Sequence, residues 1–114
     1  MQEIHYAARN QVNWRAAIRL VAKQICSVRV VEASSTNMQI VSKNILQTDQ
    51  EYEFRLEVPE INGLGQPDII LCRVVCTYVI LSGSVYRAGL SFRGLTEDQK
   101  TLITRRSARL TSHP

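Results

Sequence analysis

Glu51-Tyr52-Glu53-Phe54-Arg55-Leu56-Glu57-Val58 alternates charged and apolar side chains without a break. Side chains on an extended chain point alternately to opposite faces, so this octet reads as a β-strand with Tyr52, Phe54, Leu56 and Val58 toward a core and Glu51, Glu53, Arg55 and Glu57 toward water. Pro59 stops it, and Asn62-Gly63-Leu64-Gly65 supplies residues that tolerate positive φ. Ile69 to Ile80 then returns as a long, β-branched strand, which makes a hairpin. A second turn at Leu81-Ser82-Gly83-Ser84 leads into a third antiparallel strand, Val85 to Phe92, with Ala88, Leu90 and Phe92 on one face. Upstream, Ile25 to Val31 is a β-branched segment and the first periodic one after an N-terminal arm. It ends in the polar cluster Glu32-Ala33-Ser34-Ser35-Thr36-Asn37, after which Met38, Ile40 and Ile45 resume the apolar pattern. The period changes only at the end. Thr96-Glu97-Asp98-Gln99 fits a capping box, Leu102 and Ile103 form an apolar stripe, and Arg105, Arg106 and Arg109 sit where the helix dipole favours cations. Short strands followed by one helix from about residue 96 predict a small antiparallel barrel with the helix packed on an open edge or mouth.

The 114 residues are 45% hydrophobic and 21% charged, enough for one core and too apolar for a disordered chain. The expected organisation is an N-terminal arm over residues 1–14 and a single domain over 15–114. The net charge of +4 is unevenly spread. Residues 1–31 hold five basic side chains against one acidic, residues 32–68 two against seven, and residues 69–114 seven against two. Such blocks predict an anionic partner met at one place. Only 6% of residues are aromatic, which argues against a stacking-rich binder of single-stranded nucleic acid. Cys26, Cys72 and Cys76 have no disulfide-framework spacing and read as buried apolar residues of a reducing, cytoplasmic protein. On one strand Cys72 and Cys76 stand roughly 13 Å apart, too far for a bridge or a shared zinc. No signal peptide or apolar span is visible. His5 and His113 lie near the termini without a paired acid or thiol, so neither a catalytic triad nor a metal site can be assembled, and the chain reads as a non-enzyme without a cofactor.

Two short elements carry chemistry. Arg15 and Arg19 stand four residues apart before the Ile25 segment. On a helix they would share an ordinary solvated face; on an extended arm they could reach around a ligand, because a guanidinium fork grips phosphate oxygens bidentately and stacks on a purine. In the Glu32 to Asn37 turn a carboxylate can accept from guanine nitrogens, Ser34 can serve a phosphate or the turn, and Asn37 can hold a positive φ. Trp14 could stack on a base or pack in the core. Gly63-Leu64-Gly65 lies in a hairpin, so it is not a phosphate-cradling loop.

Taken together, an Arg-x-x-x-Arg arm, a strand and an acid-x-Ser-x-x-Asn turn resemble the PilZ domain, whose signature is Arg-x-x-x-Arg followed by Asp/Asn-x-Ser-x-x-Gly. Tyr52 to Pro59 and Cys72 to Val75 resemble its third and central strands, and Tyr86 to Phe92 followed by Leu95-Thr96-Glu97 its closing strand and helix start. The resemblance implies an all-β, six-stranded antiparallel barrel with a C-terminal α-helix. It also implies a non-enzymatic receptor for cyclic di-GMP that signals to a protein partner in motility, pilus, biofilm or exopolysaccharide control. Arg15 and Arg19 would hold phosphates and guanine Hoogsteen edges, Glu32 a guanine Watson–Crick edge, Ser34 a phosphate or the turn, and Asn37 the turn geometry. Glu32 stands where the family has Asp or Asn, and Asn37 where it has Gly. These departures leave a nucleotide-free adaptor as the alternative, and a small nucleic-acid-binding barrel as a more distant one.

Overall fold

The computed structural model describes residues 9–108. Six strands, β1 (Asn10–Arg19), β2 (Ile25–Ala33), β3 (Asn37–Ser42), β4 (Glu51–Val58), β5 (Asp68–Ser82) and β6 (Val85–Arg93), precede one helix, α1 (Glu97–Ser107). All neighbours are antiparallel, and the sheet closes in the order β1-β2-β3-β6-β5-β4, with β4 returning to β1. The expected six-stranded barrel with a C-terminal helix is therefore the observed one.

Alternation fills the interior. Tyr52, Phe54, Leu56 and Val58 point inward from β4, facing Trp14, Ala16 and Ile18 from β1, Val28 and Val30 from β2, Met38 and Ile40 from β3, Ile70, Val74 and Cys76 from β5, and Ala88 and Leu90 from β6. A fully buried aliphatic side chain contributes roughly 1.5–3 kcal/mol, so this layer dominates stability. Trp14 is 4% exposed, which resolves its two readings in favour of packing. Ile45 does not continue the pattern: it is exposed, and Leu46 takes the buried place.

The outer face of β4 explains the acidic middle of the chain. Glu53 lies between Arg19 of β1 (3.6 Å) and Arg73 of β5 (3.8 Å), Glu51 meets Arg73 at 3.1 Å and Arg55 meets Glu57 at 3.0 Å. Each exposed pair contributes at most about 1 kcal/mol. Their effect is to neutralise the block of charge across strands.

Strand β1 corrects the expected arm. Residues 10–14 belong to the barrel, and Arg15 and Arg19 lie in a strand, where Ala16 and Ile18 point into the core and the arginines point out. The β1–β2 connection turns tightly, with Ala22 and Lys23 at φ 62° and 64° and Leu20 N donating to Gln24 O at 2.6 Å. At the other end, α1 forms the expected capping box: Gln99 N donates to Thr96 Oγ1 at 3.1 Å and Thr96 N to Gln99 Oε1 at 3.0 Å. Ile103 joins the barrel core. Arg106 ties the helix to the β4–β5 connection, donating to Pro59 O at 2.9 Å and Asp68 Oδ2 at 3.0 Å. The β4–β5 connection lies at the same end of the barrel as the β2–β3 turn, so the helix covers that mouth. Arg109, His5 and His113 lie outside the described residues. No helix among the described residues is long and apolar enough to cross a membrane.

Candidate functional site

The β2–β3 turn is built around one hydroxyl. Ser34, 3% exposed, accepts at Oγ from the backbone N–H of Thr36 and of Asn37, both at 3.2 Å. It has Asn37 O and Thr36 Oγ1 at the same distance for its own proton. Ser34 N donates to Asn37 O at 2.9 Å. A serine side chain that closes a turn in this way removes the need for a left-handed residue. That is why the expectation for Asn37 fails: it starts β3 and is absent from the positive-φ residues. Its Nδ2 donates to Thr36 Oγ1 at 2.9 Å. The turn is anchored to the last strand by Phe92 N, which donates to Thr36 O at 3.0 Å.

Strict alternation along β2 would bury Glu32, since Val28 and Val30 are buried. The register of β2 with β3 slips between Val30 and Glu32. An extra residue in one strand re-aims the side chains beyond it, and Glu32 emerges outside, opposite Gln39. Strand β5 repeats the device: its register with β6 slips between Cys76 and Tyr78, so Tyr78 emerges on the same outer wall. The ladders then place Glu32, Gln39, Gly89 and Tyr78 in one row across β2, β3, β6 and β5.

The row is wired by hydrogen bonds. Arg9, immediately before β1, stands 3.3 Å from Glu32 Oε1 through Nε and donates from Nη1 to Tyr78 Oη at 3.4 Å. Gln39 Nε2 donates to the same phenol oxygen at 2.7 Å, and Arg87 Nη1 donates to Gln39 Oε1 at 3.0 Å. The Tyr78 ring lies over Gly89, where a Cβ would fall 2.1 Å from its Cε2. Glu32, Arg9, Tyr78, Gln39 and Arg87 thus form one chain of contacts beside the Ser34 turn, in which Arg9 alone touches the carboxylate. That set suits an anion with a hydrogen-bonding edge.

Arg15 and Arg19 are not brought to this turn. Arg15 pairs with Arg29 and Arg19 with Ile25, three and seven residues before Glu32 on β2, or roughly 10 and 23 Å at about 3.3 Å per residue. Arg15 lines a groove of about 360 Å³ with Trp14, Arg29, Glu57 and Glu60. Arg19 lines one of about 570 Å³ on the β1–β4–β5 wall, with Glu53, Arg55, Leu71, Arg73 and Arg93. Of the expected site residues, Glu32, Ser34 and Asn37 stay together. Arg9, Gln39, Tyr78, Arg87 and Gly89 were missed, because only the strand register unites them.

The three cysteines are free thiols, Cys26 and Cys76 buried and Cys72 half-buried. Burial pushes the Cys72 thiol up to about 11 and raises Cys76 as well, against a smaller lowering by the backbone of Tyr78. Among the described residues no three His, Cys, Asp or Glu side chains gather as a metal set would.

No family model and no curated protein matches this sequence. Solved structures do match. The inhibitor of motility MotI/DgrA of Bacillus subtilis aligns with a TM-score of 0.76 over 94% of this chain and 50% of that one, at 11% identity. The PilZ domain of YcgR from Escherichia coli, solved with c-di-GMP, aligns with a TM-score of 0.69 over 91% of this chain and 88% of that domain, at 9% identity. This chain has the PilZ-type fold. MrkH of K. pneumonia aligns at 0.67 and 15% identity, over 90% of this chain and 46% of that protein. The chain spans about half the length of MotI/DgrA and MrkH and nearly all of the YcgR PilZ domain.

Proposed function

We propose that this PilZ-type barrel is a non-enzymatic receptor for cyclic di-GMP that passes the signal to a protein partner within the cytoplasm. The observation that carries the reading is the pairing of Arg9 with Glu32 at 3.3 Å beside the Ser34 turn. It sets the guanidinium just before β1 and a carboxylate near the end of β2 against each other on one outer wall. Glu32 accepts from guanine N–H groups, and Arg9 answers the phosphates with a bidentate fork. Ser34 and Asn37 hold the turn that frames them, and the ligand adds no covalent step. The presence of c-di-GMP in the similar YcgR domain supports the choice of ligand. In this reading the arm arginine is Arg9, at the entrance to β1, and not Arg15 or Arg19. Counting back four residues gives His5 where the family spacing has a second arginine.

That substitution and the engagement of Glu32 by Arg9 favour a second reading, in which the fold serves as an adaptor without nucleotide. Calorimetric titration separates the two. Binding of cyclic di-GMP in the micromolar range or tighter, weakened at least tenfold by Arg9→Ala, supports the receptor. A folded protein that gives no heat at high micromolar ligand refutes it.

A further inference from the structure

We propose that Tyr78 is a base-stacking and specificity-determining residue of this wall, held in place by Gly89, Gln39 and Arg87; the inference rests on the cyclic di-GMP reading. Three observations converge on the ring. The slip between Cys76 and Tyr78 takes the side chain out of the barrel and places it opposite Gly89. The missing side chain at Gly89 lets the ring lie against the backbone, where any Cβ would meet Cε2, Cδ2 and Cζ at 2.1, 2.6 and 2.7 Å. The hydroxyl is fixed by Gln39 at 2.7 Å, and Gln39 is fixed in turn by Arg87 at 3.0 Å. One face of the ring is thus against the sheet and its tip is tethered. An aromatic side chain ordered before binding loses little further entropy when a flat ligand settles on it.

The neighbours define the ligand. Arg9 touches both Glu32 and Tyr78, so the carboxylate and the phenol stand one guanidinium apart. A purine stacked on the outward face of Tyr78 can present its hydrogen-bonding edge to Glu32, while Arg9 on one side and Arg87 on the other meet its phosphates. Tyrosine over a cross-strand glycine also stabilises sheets by itself, so the test must read more than stability.

Wild type, Tyr78→Phe and Tyr78→Leu are titrated with cyclic di-GMP and unfolded in denaturant. Base–aromatic stacking predicts that the Leu variant binds about tenfold or more weakly and that the Phe variant stays within about threefold of wild type. Equal affinity of wild type and Tyr78→Leu, whatever the stability change, overturns the role of the ring and leaves the receptor reading standing. No binding by wild type overturns both. If Tyr78→Leu does not fold, the wild-type complex decides by nuclear Overhauser contacts. Contacts between the Tyr78 ring protons and guanine H8 support stacking, and their absence refutes it.

Discussion

Gly89→Ala tests the register of the whole outer wall. The backbone at Gly89 is not in the left-handed region, so alanine is acceptable there on conformational grounds and would ordinarily gain roughly 0.5–1 kcal/mol over glycine in a strand. Here its methyl would sit 2.1 Å from Tyr78 Cε2, so the ring must retreat by more than 1 Å. The hydrogen bond from Gln39 at 2.7 Å does not survive that movement. Losing it costs about 1 kcal/mol, and crowding a packed site costs about 1–3 kcal/mol. The net expectation is a loss of about 1–3 kcal/mol, seen in urea unfolding as a lower midpoint with an unchanged slope. With the ring removed, the same methyl meets open space. In a double-mutant cycle Gly89→Ala should therefore be neutral or stabilising in a Tyr78→Ala background, with a coupling of about 1 kcal/mol or more. Equal effects of Gly89→Ala in both backgrounds would show that Tyr78 does not lie over Gly89, and the row from Glu32 to Tyr78 would fall with it.

Other consequences can be measured separately. Ser34→Ala removes the acceptor of two turn amides and should cost about 1–2 kcal/mol, with faster hydrogen exchange at Thr36 and Asn37; unchanged exchange would contradict the turn. Arg15→Ala and Arg19→Ala, both exposed and far in register from Glu32, should change cyclic di-GMP affinity less than about twofold and stability by less than about 0.5 kcal/mol. A tenfold loss of affinity in either would restore them to the site. The Cys72 thiol, pushed up to about 11, stays protonated in the folded protein when the unfolded chain has already ionised. Its contribution to stability is therefore complete below the ordinary thiol range and is lost as pH climbs through about 9 to 11. Cys72→Val should flatten that alkaline decline, and a thiol reagent at pH 8 should modify native Cys72 about a hundredfold more slowly than the unfolded chain.

The barrel was legible wherever one face met water and the other met the core. Glu51 to Val58 gave its own bounds, and Thr96 to Gln99 gave the helix start because a capping box is local chemistry. Strand β1 was not legible. Its arginines resemble a ligand-binding pair, its core positions include the small Ala16, and its turn into β2 runs through Ala22 and Lys23, non-glycine residues with positive φ and no Asn-Gly signal. The site was legible only along the chain. Glu32 and Ser34 stand in one local turn, whereas Arg9, Gln39, Tyr78 and Gly89 meet through pairings and two register slips. A slip is invisible to a period-2 reading, which places Glu32 and Tyr78 inside.

Closure of β4 onto β1 leaves every strand of the barrel with a partner on both sides. Among the described residues a protein that recognises this domain could lend a strand only where the pairing stops short, as along residues 77–82 of β5, which pair with β6 alone, because elsewhere the rows of amides and carbonyls are already filled. On the closed wall it must read side chains, the connecting loops or the helix. Any message from the wall outside Gly89 would have to travel as a change in side-chain shape and charge, with the backbone pairing left as it is.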